Sequence, residues 1–258
     1  MIEGLLLDID GVLTVSWEAL PGSVQAIERF RGDGVPFGLI TNTTTHTRRE
    51  LAQILQAAGF DVHAEEIVTA VVATAQYLRG TYPGAGVFVL SDGAPGPDME
   101  GVTLVDEPEG ADVVVIGGAC SAFAYETINS IFRVVEAGAP LVAMHRNFYW
   151  RTGRGLELDG GAYVSGLEAA TGVTATVCGK PAPAYFNAAL EMLDLPADRT
   201  GMVGDDLTND VIGAQAAGLT GILVRTGKFR ESDLLQSKGK PDHVVDSLAD
   251  VPALIRRS

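Results

Sequence analysis

The chain has 258 residues, 47% hydrophobic and 20% charged, with a net charge of −15. That length allows one domain with an insertion or two modest domains, and the composition is that of a globular protein with a good core. The negative charge argues against nonspecific binding to nucleic acid or anionic membranes, but not against a small phosphorylated ligand, whose pocket is a local matter. Apolar runs such as VVVIGGA at 113–119 are too short to span a membrane. Residues 1–14 lack a basic start, so no signal peptide is read. Cys120 and Cys178 are too few for a disulfide framework and read as free thiols in a reducing compartment; a cytoplasmic protein is expected.

In chain order, GLLLDI (4–9) reads as a buried parallel strand: short, apolar and without a 3.6-residue period. Pro21 to about Gly34 reads as a helix, with Val24, Ile27 and Phe30 at helical spacing. VPFGLITN (35–42) is the next strand, Thr47–Ala58 a helix stopped by Gly59, and EIVTA (66–70) a short strand leading into a helix. From about 74 to 175 the chain reads as a separate α/β unit. Its expected strands are GVFVLSD, ADVVVIGG and PLVAM, its helix is Ala122–Ala137, and SDGAPGPDMEG (91–101) is a surface loop. The alternation then resumes with a helix over Ala182–Leu193, a strand RTGMVGDD, a helix Asn209–Ala217, a strand GILVR and a last helical stretch from Ser247 to about Ile255. Alternating strands and helices of these lengths imply a parallel sheet covered on both faces. The expected organisation is an α/β core over 1–73 and 176–258, interrupted by a second α/β module over 74–175.

In an open parallel sheet the C-terminal strand ends share one edge, and ligands bind there. Here those ends carry Asp8 and Asp10, then Thr41, Asn42 and Thr43, then Asp205 and Asp206 with Asp210 one turn on. Gly179-Lys180-Pro181 precedes the helix at 182. Taken singly, each group has a plain reading as a turn, a helix cap or a solvated lysine. Together they describe a site. Three carboxylates within a few ångströms are unstable unaided, and Mg²⁺, which prefers hard oxygen ligands, resolves the repulsion. With Lys180, the metal can receive a phosphate, while the Thr41 hydroxyl and the N–H groups after it, and those of the Gly11 turn, donate to phosphate oxygens. One carboxylate can then attack phosphorus, and the other can move the proton. In the inserted module, Arg146 is a candidate for a substrate anion, and some of Phe148, Tyr149 and Trp150 are expected to pack its core.

In this order, DIDGVLT (8–14), ITNT (40–43), GKP (179–181) and GDDLTND (204–210) resemble the four motifs of the haloacid dehalogenase superfamily. The resemblance implies a Rossmann-like three-layer α/β/α core, Mg²⁺ and a phosphoaspartate. It implies Asp8 as nucleophile and Asp10 as general acid/base. Thr41 would bind phosphate, Lys180 would neutralise it, and Asp205 would ligate the metal with Asp8 and the Asp10 carbonyl. Asp206 and Asp210 would support the site, Asp210 by orienting Lys180 or metal-bound water. The insertion resembles the large C2-type α/β cap of the 4-nitrophenylphosphatase-like branch, subfamily IIA. Residues 138–172 and 224–233 are similar to the group around phospholysine phosphohistidine inorganic pyrophosphate phosphatase. The chain departs from other branches at His145-Arg146-Asn147, where they carry an Asn-Pro-Asp turn. The expected activity is a Mg²⁺-dependent phosphatase acting on a small phosphorylated metabolite. A phosphomutase and a pyrophosphate or P–N hydrolase use the same groups. A phosphate sensor of the receiver type fits poorly, being about half this length and capless. A homodimer through the cap is a further implication of the resemblance.

Overall fold

A computed structural model describes residues 2–152 and 155–255. The chain divides into two compact units, one of Met1–Thr41, Arg48–Val68 and Lys180–Ser258, the other of Asn42–Thr47 and Thr69–Gly179.

The first unit is built on a six-stranded sheet in the order His243–Val245, Thr220–Val224, Thr200–Gly204, Gly4–Asp8, Phe37–Thr41, Ile67–Thr69. Gly4–Asp8 lies in the middle, parallel to both neighbours, with Leu7 opposite Val203 on one side and Leu39 on the other. Every residue of these central strands is buried, which is why the sequence shows continuous apolar runs in place of alternation. The two faces still divide by parity. Leu5 and Leu7 join Ile27, Phe30, Leu51 and Leu55 in one core cluster, which buries the apolar stripes of the helices Ser23–Gly32 and Arg48–Ala57. Leu6 faces the opposite way, towards the helix Pro183–Leu193: a Cβ on Gly38 would meet Met192 Cε at 2.3 Å and Leu6 Cδ2 at 3.3 Å. The core is therefore the expected three-layer α/β/α arrangement.

The second unit has its own five-stranded parallel sheet, ordered Thr176–Val177, Leu141–Ala143, Val113–Ile116, Gly86–Leu90, Thr103–Val105. Parity again makes two cores. Val114 and Ile116 pack with Ile131, Val135, Val164 and Leu167, while Val113 and Val115 pack with Val71, Leu78 and Met144. These bury the helices Tyr125–Glu136 and Gly160–Thr171 on one side and Ala70–Thr81 on the other.

Several elements depart from the sequence-based expectation. Gly160–Thr171 is a helix where none was expected, because its first turn reads Gly-Gly. Packing demands those glycines: a Cβ on Gly160 would lie 1.9 Å from Gly117 O, and one on Gly161 2.5 Å from Arg146 O. Phe148, Tyr149 and Trp150 do not pack a core; they are 54%, 63% and 42% exposed. Tyr149 and Trp150 lie in a two-stranded antiparallel ribbon, Tyr149–Thr152 with Gly155–Leu158. A second hairpin, Thr14–Val15 with Glu18–Ala19, turns through Ser16 and Trp17 at φ 52° and 66°. Such turns normally use Asn-Gly, so the sequence carries no signal for this one. Leu207–Ile212 winds as a wide π-type turn before the short helix Gly213–Ala216, with the N–H groups of Asp210 and Val211 both donating to the Asp206 carbonyl. The last element is a 3₁₀ turn over Leu248–Ala253, started by a Ser247–Asp250 capping box and containing Pro252, which has no N–H to continue an α-helix.

Leu7 is fully buried at the centre of the first sheet. Leu7→Ala is expected to cost about 2–5 kcal/mol, read as a lowered denaturation midpoint.

Candidate active site

Asp8 is the last residue of its strand, and its carboxylate is almost fully buried. Its Oδ1 accepts from the Ile9 N–H at 2.9 Å and from Lys180 Nζ at 2.7 Å. Lys180, itself buried, also lies 2.7 Å from Asp210 Oδ1. The lysine thus bridges two carboxylates from opposite ends of the chain. Burial opposes its charge, but Asp210 and then Asp8 more than compensate, and its pKa rises well above an ordinary lysine's. It stays charged across the working pH range.

Asp205 follows the strand Thr200–Gly204. Its Oδ2 accepts from the Lys228 N–H at 2.6 Å. Its Oδ1 is buried and has no hydrogen-bond partner among the described residues. Burial, then Asp8 and Asp210, push its pKa up to about 7 against the opposing Lys228 N–H. Asp210 is pushed the same way, to about 7, by burial first and then by Asp8, with Lys180 opposing. One oxygen from each of Asp8, Asp205 and Asp210 lies within 4.8 Å of the others. A buried carboxylate oxygen left unsatisfied is costly, and hard oxygens at this spacing fit a divalent cation such as Mg²⁺.

The two oxygens of Asp210 are already engaged, Oδ1 by Lys180 and Oδ2 by the Asp206 N–H at 3.1 Å. Asp206 stands outside the cluster and caps the next turn, accepting from Thr208 and Asn209 N–H at 3.0 and 2.9 Å. Asp10 is exposed, two residues beyond Asp8. Gly11 makes the turn between them and the hairpin at φ 87°, where a Cβ would sit 1.9 Å from Asp205 Oδ2. Only glycine lets the chain pass so close to that carboxylate.

Thr41 ends its strand and is buried. A residue the sequence did not single out holds it. The Tyr185 hydroxyl accepts from the Thr41 N–H at 2.8 Å and lies within donating distance of Thr41 O (2.8 Å) and Val68 O (2.7 Å). The other missed residue is Lys228, in the loop after the strand Thr220–Val224. Its signal was available: this is a further strand end on the same edge, and a glycine precedes the lysine.

The remaining candidates fall in the second unit. Asn42 and Thr43 begin the segment Asn42–Thr47, which Asp92 clamps: Thr44 Oγ1 and Thr45 Oγ1 donate to its carboxylate at 2.5 and 3.2 Å. Arg146 is bidentate on Glu168, with N–O distances of 3.2 and 2.5 Å. That pair would have to open before Arg146 could take a substrate anion. His145 is buried beside Asp159, with Nδ1 3.9 Å from its Oδ2, and burial lowers its pKa despite that neighbour.

The chain is similar in sequence and in fold to known proteins. A family model for haloacid dehalogenase-like hydrolases matches residues 5–104, and a HAD-hydrolase-like model matches residues 177–251. Haloacid dehalogenase-like hydrolase domain-containing protein 2 of Pongo abelii is 37% identical over 232 residues, 90% of this chain and 87% of that protein. Phospholysine phosphohistidine inorganic pyrophosphate phosphatase of Danio rerio is 36% identical over 254 residues, 96% of this chain and 92% of that one. The p-nitrophenyl phosphatase of Archaeoglobus fulgidus superimposes with a TM-score of 0.91 at 26% identity, over 98% of this chain and 99% of its own.

Tyr185→Phe leaves the buried Thr41 amide without its acceptor. A loss of about 1–3 kcal/mol in unfolding free energy is expected, measurable by urea titration.

Proposed function

The chain belongs to the haloacid dehalogenase-like hydrolase family, and we propose that it is a Mg²⁺-dependent phosphatase of small phosphate monoesters working through an aspartyl-phosphate on Asp8. The observation that carries the reading is the acid cluster itself, in which Lys180 secures Asp8 and Asp210 while Asp205 Oδ1 is buried with no partner among the described residues. Asp8 and Asp205 would hold the metal with the Asp10 carbonyl; Asp210 serves by positioning Lys180. When bound, Mg²⁺ offsets the carboxylates and stabilises charge on the transferring phosphoryl oxygens.

The chain's own groups divide the rest of the work. Lys180 orients the Asp8 carboxylate and adds a positive charge beside the phosphoryl group. The Thr41 hydroxyl donates to its oxygens. Asp8 attacks phosphorus as the bond to the leaving oxygen breaks, and Asp10, free to meet solvent and substrate, gives that oxygen a proton. Asp10 then takes a proton from water as the water oxygen attacks phosphorus, releasing inorganic phosphate and restoring the Asp8 carboxylate.

The first test is turnover of 4-nitrophenyl phosphate with and without Mg²⁺. Asp8→Asn keeps an acceptor for Lys180 but removes the nucleophile, and should lower kcat by at least about a thousandfold with the circular dichroism spectrum unchanged. Full activity in that variant would refute the mechanism.

Proton linkage supplies a second test. An aspartate whose folded pKa lies near 7, above its unfolded value, contributes stability at low pH that is lost as pH rises through 7. The metal-free protein should therefore lose stability from pH 5.5 to pH 8. Mg²⁺ competes with that proton, so it should raise the melting temperature more at pH 8 than at pH 5.5; an equal or reversed effect would contradict Asp205 as a ligand.

A further inference from the structure

The loop Thr226-Gly227-Lys228 is built into the acid cluster. Thr226 Oγ1 donates to the Gly11 carbonyl at 2.5 Å, and the Lys228 N–H donates to Asp205 Oδ2 at 2.6 Å. Between them Gly227 takes φ 60°, and a Cβ there would meet Asp205 Oδ2 at 2.0 Å and Gly11 Cα at 2.6 Å. These contacts place Lys228 beside the turn that carries Asp10, and both side chains are exposed.

The two lysines of the site differ in kind. Lys180 is buried and paired with both Asp8 and Asp210. Lys228 has no ion-pair partner within 4.0 Å among the described residues.

Charge balance gives this lysine a task. Lys180 and a divalent cation together offset the carboxylates of Asp8, Asp205 and Asp210, while Asp10 carries the proton it gives the leaving oxygen, so the charge of the phosphoryl group itself is left over. A leaving group bearing its own negative charge would then enter an unfavourable field, unless another cation met it at the rim. The transferring phosphoryl group belongs with buried Asp8 and Lys180, and Asp10 with the leaving oxygen. Lys228, exposed beside Asp10, borders the leaving group.

We propose that Lys228 contacts the leaving group and selects substrates whose leaving group carries a carboxylate. The inference rests on the phosphatase reading. Its test is a matched pair, 2-phosphoglycerate and glycerol 2-phosphate, which differ by a carboxylate in place of a hydroxymethyl group. The wild-type protein should favour 2-phosphoglycerate in kcat/KM by about tenfold, the scale of one charged hydrogen bond. Lys228→Met should bring the ratio close to one, Lys228→Arg should keep most of it, and Lys228→Glu should invert it. A ratio in Lys228→Met within about twofold of wild type would overturn this inference while leaving the phosphatase reading intact. Failure of the wild-type protein to turn over either compound or 4-nitrophenyl phosphate would overturn the phosphatase reading itself.

Discussion

The site depends on one buried lysine held between two buried carboxylates. Asp8, Asp205 and Asp210 are all nearly inaccessible to solvent, and carboxylates so placed repel one another and resist desolvation. Lys180 makes two of them tolerable by taking Asp8 and Asp210 at 2.7 Å each. Removing one partner of a buried ion pair generally costs more than the pair ever contributes, because the other charge is left uncompensated. The surrounding structure accordingly keeps Lys180 in place. Pro181, next to it, packs on Gly213, where a Cβ would come within 2.6 Å of the proline ring, and the helix Pro183–Leu193 starts immediately after. From its first turn Tyr185 reaches to Thr41 and Val68, tying the lysine's helix to the next two strand ends.

The acid not relieved by Lys180 is Asp205, and the glycines around it have their explanation there. Gly11 and Gly227, from loops more than two hundred residues apart in sequence, both approach Asp205 Oδ2 where no side chain could. Their closeness brings the Lys228 amide to one oxygen and leaves the other for a cation. The same edge that gathers negative charge therefore also gathers backbone donors and a second lysine, the balance a phosphate ester requires.

The strand ends were legible because a short apolar run closing on Asp-x-Asp, Thr-Asn-Thr or Asp-Asp has no ordinary reason to exist in a buried parallel sheet. The helix Ser23–Gly32 was legible from Val24, Ile27 and Phe30 at its spacing. Gly160–Thr171 was not, because glycines chosen for close packing erase the propensity signal at its start. The hairpin through Ser16 and Trp17 was hidden for a related reason, since its turn residues are poor ones for their left-handed backbone. Tyr185 was missed because a tyrosine on a helix reads as core, and nothing local says that its hydroxyl meets the backbone of a strand 144 residues away.

The sequence by itself determined the α/β alternation, the interruption of one module by another, and the residue types that meet at the sheet edge. These follow from local patterns: apolar period, turn residues and ordered motifs. Only the tertiary structure decided which two carboxylates Lys180 bridges, which oxygen of Asp205 is left unpaired among the described residues, that Arg146 is taken by Glu168, and that Lys228 stands beside the Asp10 turn. Those assignments turn on separations of a few ångströms between segments distant in sequence, and electrostatic and hydrogen-bonding energies change steeply over such distances.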